Sequence, residues 1–251
     1  MSLKRLRMTD DRITPRMNSL GQPIGAALPE WRPPPLPPRA PLRGRYCAVE
    51  PLDAERHAAD LWAAMSLDRE GRNWTYTPSG PFEDSAAYRA WLEERAAGAD
   101  PMFHAILDAT GKAVGTCAYM RMDPANGVIE IGHINYSPLL QRKLAATEAM
   151  YLMMRRVFEL GYRRYEWKCD TLNAPSRAAA QRYGFSFEGV FRQAVVVKGR
   201  NRDTAWFSVL DGEWPALRVA YERWLAPENF DADGAQRVSL SSLTAPLLQA
   251  K

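Results

Sequence analysis

The chain has 251 residues, 46% of them apolar and 25% charged, enough to bury a full core in one large domain with tails or in one domain plus a small partner. Its net charge of +4, with lysines and arginines scattered among acids, forms no basic stripe for nucleic acid and leaves small anionic ligands open. No uncharged apolar run reaches about 18 residues, and MSLKRLRMTDDRITPRM lacks a signal-peptide core, so a cytoplasmic protein with no membrane contact is expected. Cys47, Cys117 and Cys169 lie far apart and outside any ligand spacing, so neither disulfides nor a metal site is expected.

Residues 1–44 are rich in proline and glycine, as in GQPIGAALPEWRPPPLPPRAPLRG, and read as an extended arm lying on its own domain or on a neighbouring subunit. From residue 45 the pattern becomes regular. Tyr46–Val49 reads as a strand ending at Pro51. Asp53 caps a helix to about Leu67, with Ala58, Leu61, Trp62 and Met65 at helical spacing, and Asp84 opens a second helix through Tyr88, Trp91 and Leu92. Strands at 102–107, 113–122 and 128–136 follow as an antiparallel meander, turning at Gly111 and at 123–127. A helix over 143–160 stops at Gly161 and gives way to a strand at 164–169. Asn173 caps a short helix over 175–183. Strands at 187–198 and 203–210 flank a turn, a last helix covers 213–225, and residues 226–251 read as a polar tail.

This order of elements, with the runs GVIEIGHINYSPLLQRKLAATEAM and YEWKCDTLNAPSRAAAQRYGFSFEG, resembles the GNAT superfamily of acyl-CoA-dependent N-acetyltransferases, in particular its RimJ/RimL-like branch, over residues 45–225. The resemblance implies an α/β (α+β) fold: a mixed, mostly antiparallel sheet of about seven strands flanked by helices. It also implies that the fourth and fifth strands splay apart, that acetyl-CoA enters the gap as co-substrate, and that an amine is the acceptor. A homodimer is left open. The alternatives that stay open are a non-catalytic acyl-CoA-binding module and an interaction module run by the arm.

The family holds the CoA pyrophosphate on backbone amides where a helix begins, because a first turn has free N–H groups and the positive end of the dipole. Gln141, Arg142, Lys143, Leu144, Ala145 and Ala146 occupy those positions, with Thr147 completing the turn. Leu144 stands where the family has a glycine, but a right-handed first turn admits any residue, so the donors are expected to survive. Gly132 within a strand suggests a bulge or a close backbone approach, and the resemblance implies that backbone groups of Ile134, Asn135 and Tyr136 pair with the pantetheine arm. Glu130, set between isoleucines, is the candidate general base; the competing role is a salt bridge. Asn173 and Ser176 match an Asn-x-x-Ser pattern, which implies contacts to CoA beside the plain capping role of Asn173. A tyrosine general acid is missing, since Ala180 occupies its position and Tyr183 is about a turn away. The strict alternation of charge in Arg164–Asp170 is odd for a central strand unless it opens onto a wet cleft, which makes Glu166 and Lys168 candidate acceptor contacts. Trp74 and Tyr76, in a loop of turn formers, suit a lid over the acceptor or a packed plug.

Overall fold

The computed structural model describes residues 16–249. The chain divides into two compact units, up to Pro33 and from Pro34 onward. In the first, β1 (Arg16–Met17) and β2 (Pro23–Ile24) form a two-stranded ladder, and Asn18 Oδ1 accepts from the Leu20 and Gln22 amides at 2.9 Å each, closing the turn. Residues 1–15, the start of the predicted arm, lie outside the described residues.

The second unit opens with β3 (Leu42–Arg43), β4 (Ala48–Pro51), α1 (Ala54–Met65) and α2 (Ser85–Ala97). Asp53 Oδ1 caps α1 through the Glu55 and Arg56 amides, and Asp84 caps α2 through the Ala87 amide. The proline-rich run joins this unit from Pro34 on, where Pro34 and Pro37 are buried and Arg39 donates to the carbonyls of Ala96 and Gly98 at the end of α2.

The rest is β5 (Met102–Leu107), β6 (Ala113–Asp123), β7 (Val128–Tyr136), α3 (Leu144–Glu159), β8 (Arg164–Asp170), α4 (Ala174–Arg182), β9 (Ser186–Val197), β10 (Arg200–Leu210), α5 (Trp214–Leu225) and α6 (Leu240–Thr244). Eight strands make one sheet in the order β3-β4-β5-β6-β7-β8-β10-β9, parallel only between β7 and β8. The strand beyond the expected seven is β3, whose two residues carry no period. Helices cover both faces. One core packs α1 and α2 on the sheet through Leu61, Tyr88, Leu92 and Phe103; the other packs α3 and α5 through Met153, Val157, Phe207 and Tyr221.

β7 and β8 pair only over Val128–Ile131 and Arg164–Trp167, and beyond that they part. A bulge in β7 accompanies the parting. Its register with β6 shifts between Thr116 and Ala118, and His133 adopts φ 48°. Gly132 lies beside the bulge, as one of its two sequence expectations had it, and what crowds it is a side chain and not a backbone: a Cβ there would come within 2.3 Å of the Met120 sulfur.

The stretch read as a polar tail is built into the domain. Leu240 is fully buried in the main core, Thr244 Oγ1 donates to the Arg182 carbonyl, and the Asn229 amide bonds the Trp224 and Val238 carbonyls. Sparse apolar positions hid this, because the anchoring is done by Leu240, by Phe230, Leu243 and Leu247 packed partly against the core, and by a few side-chain bonds. Among the described residues no helix is long and apolar enough to cross a membrane, and no group of three or more His, Cys, Asp or Glu is placed to hold a metal ion.

Candidate active site

Where β7 and β8 part, a cavity of about 630 Å³ opens between Glu130–Ile134 of β7, Trp167–Asp170 of β8, the start of α4 and the β9–β10 hairpin. The sheet is the scaffold of this site. Pairing fixes Glu130 beside Glu166, while Lys168 stands one side-chain row further along on the same face and pairs with Trp206 of β10.

These residues form the buried middle of an ion-pair chain. Glu130 Oε2 accepts from Arg121 at 2.7 Å and Lys168 at 2.9 Å; Lys168 reaches Glu166 at 2.7 Å, and Arg164 closes the far end on Glu166 at 2.6 Å and on Glu188 at 2.8 Å. The Lys168 ammonium also lies 3.8 Å from the centre of the Trp206 ring. The alternation of β8 therefore resolves into mutual neutralisation beside a cleft, with Lys168 on the cavity wall and Glu166 behind it. Of the two roles that the sequence left open, Glu130 takes the salt bridge, and it also lines the cavity. Its Oε2 is the salt-bridge end, and its Oε1 is the oxygen nearer Gly132, which itself lines the cavity.

The turn leading into α3 presents amides as expected for a helix start. Lys143 is the N-cap and makes no side-chain cap bond, and the amides of Arg142, Leu144 and Ala145 have no acceptor among the described residues. Leu144 is helical, and the left-handed residue is Arg142 at φ 59°. Arg142 and Lys143 are exposed. The side chains of Ala145, Ala146 and Thr147 are turned into the core, and Thr147 Oγ1 accepts from Arg182. Those three can offer only backbone to a ligand. Gln141 is committed elsewhere, bonding Asn73 and the Tyr136 carbonyl at 2.9 Å each.

Of the remaining candidates, Ile134, Asn173, Ser176 and Tyr76 line the cavity. Asn173 caps α4 through the Ser176 amide, and Ser176 Oγ accepts from the Trp167 indole at 3.0 Å. Asn135 is buried beside the bulge with both polar atoms of its amide unpartnered, and Tyr136 points to α3, donating to the Ala146 carbonyl. Trp74 is 6% exposed and packs against Phe82, Tyr88 and Trp91, so of the two loop aromatics Tyr76 faces the cavity and Trp74 is a plug. Tyr183 is buried away from the cavity wall. Burial pushes the Cys169 thiol up and holds the His133 imidazole down to about 4, with Arg95 and Arg121 adding to the effect, so His133 is neutral at neutral pH.

A roof spans the cavity. Lys198, at the tip of the β9–β10 hairpin, donates to the carbonyls of Trp74 and Gly80, and Arg200 donates to that of Thr75 at 2.7 Å. Sequence reading missed this contact, and it missed the wall formed by Arg202, Thr204 and Trp206. The signal for the wall was present: Ala205, Phe207 and Val209 alternate as an inner row, which puts the residues between them on the face of Glu166 and Lys168.

A family model described as acetyltransferase (GNAT) domain matches residues 48–186. The chain belongs to the GNAT family of acetyltransferases. This GNAT protein is similar to a GCN5-related N-acetyltransferase from Brucella melitensis, at 53% identity and a TM-score of 0.85 over 87% of this chain and all of that one. It also resembles a protein from Chromobacterium violaceum named a probable acetyltransferase (GNAT family), at 47% identity and a TM-score of 0.72 over 78% of this chain and 98% of that one. A relative named uncharacterized N-acetyltransferase p20, from Bacillus licheniformis, is 32% identical over 113 residues, 45% of this chain; the match spans 63% of that relative's length.

Proposed function

We propose that this GNAT protein transfers the acetyl group of acetyl-CoA to a primary amine by direct attack in a ternary complex. The observation that carries the reading is the cavity itself: it opens at the parting of β7 and β8 and holds a buried carboxylate, Glu130, on its wall. The pantetheine arm fits the unpaired stretch of β7 near Ile134, and the diphosphate fits the free amides ahead of α3, with Arg142 and Lys143 adding charge.

In the reaction the amine nitrogen attacks the acetyl carbonyl carbon, the C–S bond breaks and CoA leaves as thiolate. The nitrogen becomes acidic as it bonds to carbon, and Glu130 Oε1 takes its surplus proton, directly or through water. Arg121 and Lys168 fix the carboxylate through Oε2. The thiolate is protonated by solvent, since Tyr183 does not reach the cavity. Cys169 is not the nucleophile, because burial disfavours its thiolate. The RimJ/RimL-like pattern adds a protein N-terminus to the small amines as an acceptor class.

Calorimetry should give acetyl-CoA binding at micromolar affinity, on the order of 8 kcal/mol. Glu130→Gln should keep that affinity while kcat for amine-dependent thiol release falls by about 10²-fold or more. Acetyl-CoA binding with no turnover across an amine panel would replace the enzyme reading with that of a binding module. Unchanged kcat in the variant would return Glu130 to a structural role.

A further inference from the structure

β10 lines the cavity with three residues, each of which carries a buried polar atom that nothing among the described residues satisfies. Thr204 is 5% exposed with its hydroxyl unpartnered, and Arg202 Nε and Trp206 Nε1 are buried donors with no acceptor. All three side chains line the cavity. A buried polar group without a partner is destabilising by about 1–3 kcal/mol, so a row of three is the mark of a place that a ligand or water completes.

Charge narrows the ligand. Arg202 has no ion-pair partner among the described residues. The acids near it are engaged: Glu130 by Arg121 and Lys168, Asp170 by the Leu172 amide, and Asp203 by the Gln193 amide and Asn201. On the cavity wall Arg121, Lys168 and Arg202 face only Glu130 and Asp170, and His133 is neutral, so the balance is positive. A planar guanidinium with a hydroxyl beside it suits a carboxylate.

Register sets the distance. Thr204 pairs with Asp170, four residues along β8 from Glu166, the partner of Glu130. At a strand's rise this is about 13 Å along the sheet. The side chains of Glu130 and Arg202 close part of that gap and leave room for a chain of several bonds.

We propose that the acceptor is a small amino carboxylate whose amine and carboxylate are several bonds apart, its carboxylate bound by Arg202 and Thr204 while its amine faces Glu130. Phe191, Val195 and Val197 flank the chain between them. This rests on the N-acetyltransferase reading above.

The test is binding, which needs no turnover. 6-Aminohexanoate and its neutral match 6-aminohexanamide are titrated calorimetrically into the protein with and without CoA, for wild type, Arg202→Gln and Arg202→Lys, with circular dichroism to confirm folding. The expected result is at least about tenfold tighter binding of the carboxylate in wild type, a preference lost in Arg202→Gln and partly kept in Arg202→Lys. Equal binding of the two probes by wild type, or a preference that survives Arg202→Gln, overturns the proposal. Acetyl-CoA turnover with the same probes is read separately: selective binding without thiol release counts against the transferase reading and leaves the carboxylate site standing.

Discussion

His104 on β5 shows what a single buried ring does to the pH response. It is 1% exposed, its Nδ1 has no partner, and it meets the Tyr119 ring edge-on at 5.3 Å. Burial holds its pKa down to about 4, against an ordinary value of 6.5. Between those values the unfolded chain binds a proton that the folded chain refuses. Stability from this group is therefore full above about pH 6.5 and is lost as pH falls toward 4, by about 3 kcal/mol in all. Urea unfolding at pH 7 and pH 4.5 should show this loss, and His104→Gln should reduce the pH dependence. An unchanged dependence would assign it to other groups. Nothing in the sequence marked this histidine, because its neighbours Phe103 and Ala105 are as buried as it is. Glu130 and Lys168 were legible from their alternation with apolar residues, but their bond to each other was not, since it joins residues brought together only by the parallel pairing of β7 and β8.

At the scale of elements, α3 joins two tasks. Its first turn presents free amides, and on its buried face Glu148 accepts from the amides of Arg45, Tyr46 and Cys47 at 2.6–2.9 Å, fastening the segment that leads into β4. Gly44 is required there, because a Cβ would come within 2.2 Å of that carboxylate. The helix and its face were readable from Ala149, Met150, Met153 and Val157, but the fastening was not, since a glutamate on a helix reads as surface. The buried alanines of the first turn decide how the phosphate assignment is tested: the probe belongs at Lys143, which is exposed, and not at Ala146, where a charge would enter the core. Lys143→Glu should weaken acetyl-CoA binding by at least about tenfold in a folded protein, since it reverses a charge beside the proposed diphosphate site. Leu144→Gly should change it by less than about tenfold, as relief of crowding opposes a looser helix start. Wild-type affinity in Lys143→Glu would move the phosphate site away from this turn.

The whole molecule depends on its last described stretch. Residues 226–249 return across α5 and α4 to the start of β9, where the Gln249 amide bonds Ser186 Oγ at 2.9 Å. Removing everything after Leu225 would uncover the core around Leu240, a leucine's burial being about 2–3 kcal/mol, and would strip the partners of the Arg182 carbonyl and Trp224 indole. The truncated chain should lose several °C in Tm or fail to stay soluble; a full-length Tm would show the stretch to be an ornament. The strands and helices were legible because each carries its own period, and the opening only through the resemblance to a family. This segment was not, because it folds against surfaces that its own sequence does not contain.

The bonds from Lys198 and Arg200 join a loop and a hairpin that are far apart in sequence, so the cavity is encircled, not merely flanked. Anything wider than the remaining mouth can enter only after those three bonds break. At roughly 1 kcal/mol apiece for partly exposed groups, the unfastened form would hold on the order of one molecule in a hundred. The encircling bonds end on peptide oxygens, which carry no net charge to be masked by ions, so dissolved salt has little purchase on them.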